Sequence, residues 1–99
     1  MQYASENLIP VTMELGGKSP NIVFEDADLD QAVKGVVAGI FAASGQSCVA
    51  GSRLLVQRSI HDAFVGRLLA FIEDVRFGHP SDPATQIAPI STRPQLDKI

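Results

Sequence analysis

The stretch Asn21-Ile22-Val23-Phe24-Glu25-Asp26-Ala27-Asp28-Leu29-Asp30 changes its pattern halfway, and that change decides the fold class. Asn21–Phe24 is a compact β-branched and aromatic run bounded by Pro20 and by acidic residues, which predicts a buried strand. A helix is predicted to start near Asp26 or Asp28. A short carboxylate there accepts the first free backbone N–H groups, and Asp30 adds favourable charge to the first turn. The helix is read to about Ala43. Val33, Val36, Val37, Ile40 and Phe41 share one broad face, while Ala32, Ala38, Ala42, Gly35 and Gly39 leave almost no polar face opposite, so burial on all sides is expected.

Working outward, Leu54-Leu55-Val56 reads as a second strand. Ser59 then opens a second helix, with Asp62 at the third position in a capping-box pattern. Ile60, Phe64, Leu68, Phe71, Ile72 and Val75 recur at steps of three and four, and Gly78-His79-Pro80 ends the helix. Upstream, Val11-Thr12-Met13-Glu14-Leu15 is a short extended candidate stopped by Gly16-Gly17. The segment Ser81–Pro94 carries three of the six prolines without a clean period and is read as loop or weakly ordered. The order strand, helix, strand, helix predicts an α/β layer with at least one parallel pair.

Composition bounds the function. The chain has 99 residues, 8 Lys and Arg against 11 Asp and Glu, and a formal charge of −3. It holds at most one domain. A mildly acidic balance without a basic run lacks the electrostatic footprint of nucleic-acid or anionic-membrane binding, so neither partner is expected. The longest apolar run, between Gly35 and Ala43, is about half of the ~20 residues that span a bilayer. Met1-Gln2-Tyr3-Ala4-Ser5-Glu6 has neither a basic n-region nor an apolar h-region, so a cytoplasmic location is expected. Charged residues make up 19% of the chain, below the typical ~25%, although a small domain exposes relatively more surface. That is the composition of a piece of a larger core.

Most local motifs have plain explanations. Gly16-Gly17-Lys18-Ser19 matches the end of a phosphate-binding P-loop, but Thr12 stands where its first glycine belongs, and a strand rather than a helix follows. The glycines fit a tight turn or a close backbone approach better. Asp26-Ala27-Asp28-Leu29-Asp30 imitates the start of a calcium loop, yet Gln31 and Val37 occupy the required glycine and glutamate positions, leaving a capped helix start. His61 and His79 have no ligand-spaced partners, and one cysteine makes neither a disulfide nor a zinc site, so no metal site is expected.

Two residues stand out. Cys48 is either an inert small hydrophobe or a nucleophile. Gly45, Ser47, Ala50, Gly51 and Ser52 leave its surroundings bare enough for a carbonyl to approach and for an oxyanion to meet a backbone N–H. Glu14, between Met13 and Leu15, either points to solvent or sits desolvated as a general base.

Taken together, these segments carry a family resemblance. Met13-Glu14-Leu15-Gly16-Gly17-Lys18-Ser19-Pro20 resembles the glutamate signature of the NAD(P)-dependent aldehyde dehydrogenases. Phe41-Ala42-Ala43-Ser44-Gly45-Gln46-Ser47-Cys48-Val49-Ala50-Gly51-Ser52 resembles their cysteine signature. Glu14 and Cys48 stand 34 residues apart, the family's usual separation. Asn21–Asp30, Arg53–Gln57 and Gly78–Thr85 have the family's texture too, so the likeness covers essentially the whole chain.

The resemblance implies part of a three-layer αβα catalytic domain with a mostly parallel sheet, incomplete in this chain. Residues 1–15 would end the cofactor-binding domain and residues 16–99 would begin the catalytic domain. It also implies oxidation of an aldehyde to a carboxylic acid through a cysteine hemithioacetal and thioester. Cys48 would be the nucleophile, Glu14 the base for the deacylating water, and the Cys48 N–H one half of the oxyanion hole. The backbone of Leu15 and Gly16 would pass close to the nicotinamide of NAD or NADP. Gln46 sits in the loop that shapes the cysteine's surroundings and is given no chemical role. The family's dinucleotide-binding residues precede the glutamate signature and are not in this sequence, so a longer parent enzyme, a homodimer or homotetramer, is expected to act while the isolated segment is inactive. Two other readings of Cys48 stay open at this stage: a thiol-based redox or acyl-transfer protein, and a non-catalytic interaction module.

Overall fold

A computed structural model describes all 99 residues. Its elements are α1 (Gln2–Glu6), β1 (Pro20–Val23), α2 (Leu29–Phe41), β2 (Arg53–Val56), α3 (His61–Ile72) and α4 (Arg93–Leu96). β1 and β2 pair in parallel, with Pro20 opposite Arg53 and Val23 opposite Val56. The expected parallel pair is therefore present, with α2 as its crossover.

The start of α2 follows from local chemistry. Asp28 has an extended backbone, and its carboxylate accepts hydrogen bonds from the Asp30 and Gln31 N–H groups at 3.0 and 3.1 Å. This is N-capping, worth about 1 kcal/mol against alanine. The second helix starts differently from the capping-box expectation. Ser59 lies in a 3-10 turn, Arg58–Ile60, and α3 begins after it with no side-chain cap. The Ser59 hydroxyl accepts from no helix N–H and donates to Glu25 Oε2 at 2.8 Å, the turn being packed beside the end of β1. α3 also ends at Ile72, six residues before Gly78.

The core is small: Val23, Val33, Val36 and Phe64, with Phe64 fully enclosed. Leu29, Ala32, Val56, Ile60 and Leu68 pack around it. Both long helices thus cover one face of the two-stranded sheet, and an Asp30–Arg67 ion pair bridges them at the surface. The opposite face presents Ile22 and Leu55, 57% and 52% exposed. This chain therefore holds two parallel strands with a helical layer on one face, consistent with part of an α/β domain. α2 is not buried on all sides as its composition suggests. Its far side, with Gly35 and Ala38, meets nothing within these residues. The radius of gyration, 17.8 Å, exceeds the ~13 Å of a compact domain of this size.

One further expectation is corrected. Val11–Leu15 joins no strand: β1 and β2 form the entire sheet, and Val11, Met13 and Leu15 are all at least 46% exposed. An extended segment without a neighbouring strand has no ladder to enter. The segment Ser81–Pro94 is irregular but tied down, since Phe77 bridges Ile87, the Gly78 N–H donates to the Ile87 carbonyl, and Ile87 is buried. It leads into α4, with Pro94 in the first turn, where its missing N–H costs nothing. No helix is long and apolar enough to cross a membrane.

One side chain does much to position the loop that carries the cysteine. Asn21 in β1 is half-buried, and its amide donates to the Gly51 carbonyl at 3.2 Å, while the Gly51 N–H donates to the Gly39 carbonyl of α2 at 2.9 Å. A β-carbon on Gly51 would overlap the Asn21 amide, which would have to shift from its place against the Gly51 carbonyl.

Candidate active site

α2 ends at Phe41 because the backbone turns away: Ala42 is extended, and Ala43, Ser44 and Gly45 all have positive φ, 51°, 56° and 73°. Gly45 takes this conformation freely, whereas Ala43 and Ser44 each cost on the order of 1–2 kcal/mol. Specific bonds offset that cost. The Gln46 N–H and its side-chain Nε2 both donate to the Ala43 carbonyl at 3.1 Å, and the Ser44 hydroxyl donates to the Ala88 carbonyl at 2.8 Å.

The chain then makes a turn from Ser47 to Ala50, closed by the Ala50 N–H donating to the Ser47 carbonyl at 3.1 Å. Cys48 occupies its first central position and is exposed, a free thiol. Its own backbone N–H donates to no group of the chain. A nucleophilic atom and an unused donor therefore sit on the same residue, which is the local arrangement needed to stabilise a developing oxyanion.

The Glu14–Lys18 segment lies across from this turn. Glu14, Leu15 and Gly16 line the same cleft as Cys48, a space of about 910 Å³. The sequence-predicted site residues are thus brought together by the fold. Glu14 is exposed within these residues, makes no hydrogen bond or ion pair, and lines the cleft. Gly16 has open space where a side chain would stand, leaving a bare stretch of backbone on the cleft wall. Gly17 does the opposite. A β-carbon there would overlap the Cys48 carbonyl oxygen, so the two walls touch backbone to backbone. His61 is exposed at the start of α3 and His79 is exposed in a loop; no group of metal-ligating side chains forms.

Gly17→Ala is accordingly expected to destabilise the protein by about 1–3 kcal/mol, because backbone cannot rotate out of the way as a side chain could. Urea unfolding measures this, and an unchanged midpoint would show that the walls do not touch.

The third wall was not legible in the sequence. Ile90, Thr92, Gln95, Leu96 and Ile99 close the cleft from the C-terminal segment. The only available sign was Pro94 just inside a possible helix start, which marks an element but not its place.

Comparisons with known proteins bear on the family and the fold. A family model described as the aldehyde dehydrogenase family matches residues 1–99. The chain is 50% identical over 99 residues to (Z)-2-((N-methylformamido)methylene)-5-hydroxybutyrolactone dehydrogenase of Acinetobacter baylyi, all of this chain matching 20% of that protein. It is 50% identical over 106 aligned positions to an aldehyde dehydrogenase of Deinococcus radiodurans, again with 20% of that protein covered. Among solved structures, PnpE in complex with nicotinamide adenine dinucleotide superposes with a TM-score of 0.93 at 41% identity, over 98% of this chain and 20% of that one. The chain spans about a fifth of the length of the curated relatives it matches.

Proposed function

The chain belongs to the aldehyde dehydrogenase family, and from that premise we propose that it is the nucleophile-bearing segment of a longer NAD(P)-dependent enzyme that oxidises an aldehyde to a carboxylic acid. One observation carries the proposal. Glu14 and Cys48, far apart in sequence, line one cleft on walls that touch at Gly17 and the Cys48 carbonyl.

The residues have complementary tasks. The Cys48 thiolate attacks the aldehyde carbon, a C–S bond forms, and the carbonyl electron pair moves onto oxygen. The free Cys48 N–H, one half of the oxyanion hole, donates to that oxygen. A nicotinamide, when bound, supplies the hydride acceptor that converts the hemithioacetal into a thioester. Glu14 then takes a proton from water as the water oxygen attacks the thioester carbonyl, the C–S bond breaks, and Cys48 leaves as thiolate with the carboxylic acid as product.

The residues present fit one end of the cofactor. Leu15 and Gly16 line the cleft, and the open space beside Gly16 leaves room for a nicotinamide ring. For phosphates the cleft offers one cation, Lys18, whose Nζ already donates to the Gly17 carbonyl at 3.1 Å. Most contacts to NAD or NADP would therefore come from other parts of the parent enzyme, and the 99-residue segment alone is expected to be inactive. In the same reading, residues 1–15, which contribute nothing to the core, end the cofactor-binding domain, and residues 16–99 begin the catalytic domain. The expected setting is a cytoplasmic homodimer or homotetramer, and here family membership is the support.

The test is reduced-cofactor formation at 340 nm, by the parent enzyme and by the isolated segment, with straight-chain and aromatic aldehydes and either NAD or NADP. Aldehyde-dependent formation by the parent is expected. Cys48 alkylation and peroxide oxidation without any nicotinamide dependence would instead favour a thiol redox protein.

A further inference from the structure

We propose that Gln46 is a positioning residue, which holds the Cys48 turn at a fixed place against the cleft wall formed by the C-terminal segment. The inference rests on the reading of Cys48 as nucleophile and goes beyond it. Within these 99 residues Cys48 sits on an exposed turn, and no packing among them fixes its position. Hydrogen bonds from the preceding residues do. The Gln46 side-chain amide is engaged at both ends: its Nε2 donates to the Ala43 carbonyl at 3.1 Å, and its Oε1 accepts from the Ser91 N–H at 2.9 Å. The first bond closes the left-handed run, and the second ties that run to a segment 45 residues away.

A parallel tie runs from the Ser44 hydroxyl to the Ala88 carbonyl. Two adjacent points on the cysteine loop are therefore fastened to residues 88–91, and the chain continues directly into the wall made by Ile90, Thr92 and Leu96. On its other side the turn touches Gly17, three residues from Glu14. The amide of Gln46 thus links the nucleophile's turn to the wall that completes the cleft. It supplies neither proton nor charge to the reaction. Cutting its two bonds leaves the chemistry of Cys48 intact and widens the range of positions its sulfur occupies, and misplacement on the order of 1 Å lowers reaction rates by up to about 10²-fold.

The test uses the parent enzyme with its best aldehyde from the panel above. Gln46→Met keeps the side-chain length and removes both hydrogen bonds. Its kcat per titratable Cys48 is expected to fall about 10- to 100-fold, with the KM for NAD little changed. Gln46→Glu keeps the acceptor for the Ser91 N–H and loses the donor to Ala43, so a smaller loss is expected, and this variant decides the matter if Gln46→Met does not fold. Unchanged kcat in the folded variants, or a loss seen only as a lower unfolding midpoint, overturns the proposal. If aldehyde oxidation survives Cys48→Ser, the reading of Cys48 itself fails, which separates the two failures.

Discussion

Cys48→Ser in the parent enzyme is expected to lower kcat for aldehyde oxidation by about 10⁴-fold or more, because removing a covalent nucleophile from a working set commonly costs 10⁴ to 10⁶. The reason lies in the side chain and in what surrounds it. A thiol is a few per cent ionised at neutral pH and is strongly nucleophilic, whereas a serine hydroxyl needs an adjacent base held within hydrogen-bond distance. The structure shows no such partner for residue 48: the turn is held by the Ala50 N–H on the Ser47 carbonyl and the Val49 N–H on the Ser47 hydroxyl, and neither bond involves the Cys48 side chain. Because Cys48 is exposed, serine fits without strain, and the unfolding midpoint should stay where it was. The measurement is NADH or NADPH formation by the folded variant. Retained turnover at a tenth of the wild-type rate or better would remove Cys48 from the chemistry.

Glu14→Gln is expected to give a different signature from a residue in the same cleft. General-base catalysis contributes about 10²- to 10⁴-fold, and a loss in that range is expected in steady-state kcat. The first turnover should survive. In the proposed reaction Glu14 acts after the thioester has formed, so rapid mixing should still give a burst of reduced cofactor close to one equivalent per Cys48. Mass spectrometry of the quenched protein should find the acyl group on that residue. Loss of the burst together with steady turnover would place Glu14 in the first half of the reaction instead. Glu14 is exposed and unpaired, so this substitution should not affect folding.

What was legible in the sequence was what local chemistry settles. The strand at Asn21–Phe24 appears within one residue as Pro20–Val23, because a β-branched run between breakers has few alternatives. The cap at Asp28 is present because its partners are two and three residues away. Ser59 offered an equally good local pattern and was misread. Its hydroxyl oxygen caps nothing because the helix starts two residues later, at His61, after a 3-10 turn, and its proton goes to a carboxylate 34 residues distant that nothing near Ser59 announces. Val11–Leu15 was misread for a related reason. Alternation favours extended backbone, but a strand exists only when another strand lies beside it.

The sequence by itself determined the α/β class, the parallel pair, and the identity of Glu14 and Cys48 as the residues to follow, since composition, period and motif spacing are properties of the chain in one dimension. Tertiary structure alone decided that Glu14 and Cys48 share a cleft, that Gly17 rather than Gly16 makes the close approach, and that Ser44 and Gln46 fasten the cysteine loop to residues 88–91. The physical reason is range. Capping and turn formation act over a few residues, whereas backbone contacts and side-chain amides select partners by position in space. Their sequence separations of 31, 44 and 45 residues leave no local trace.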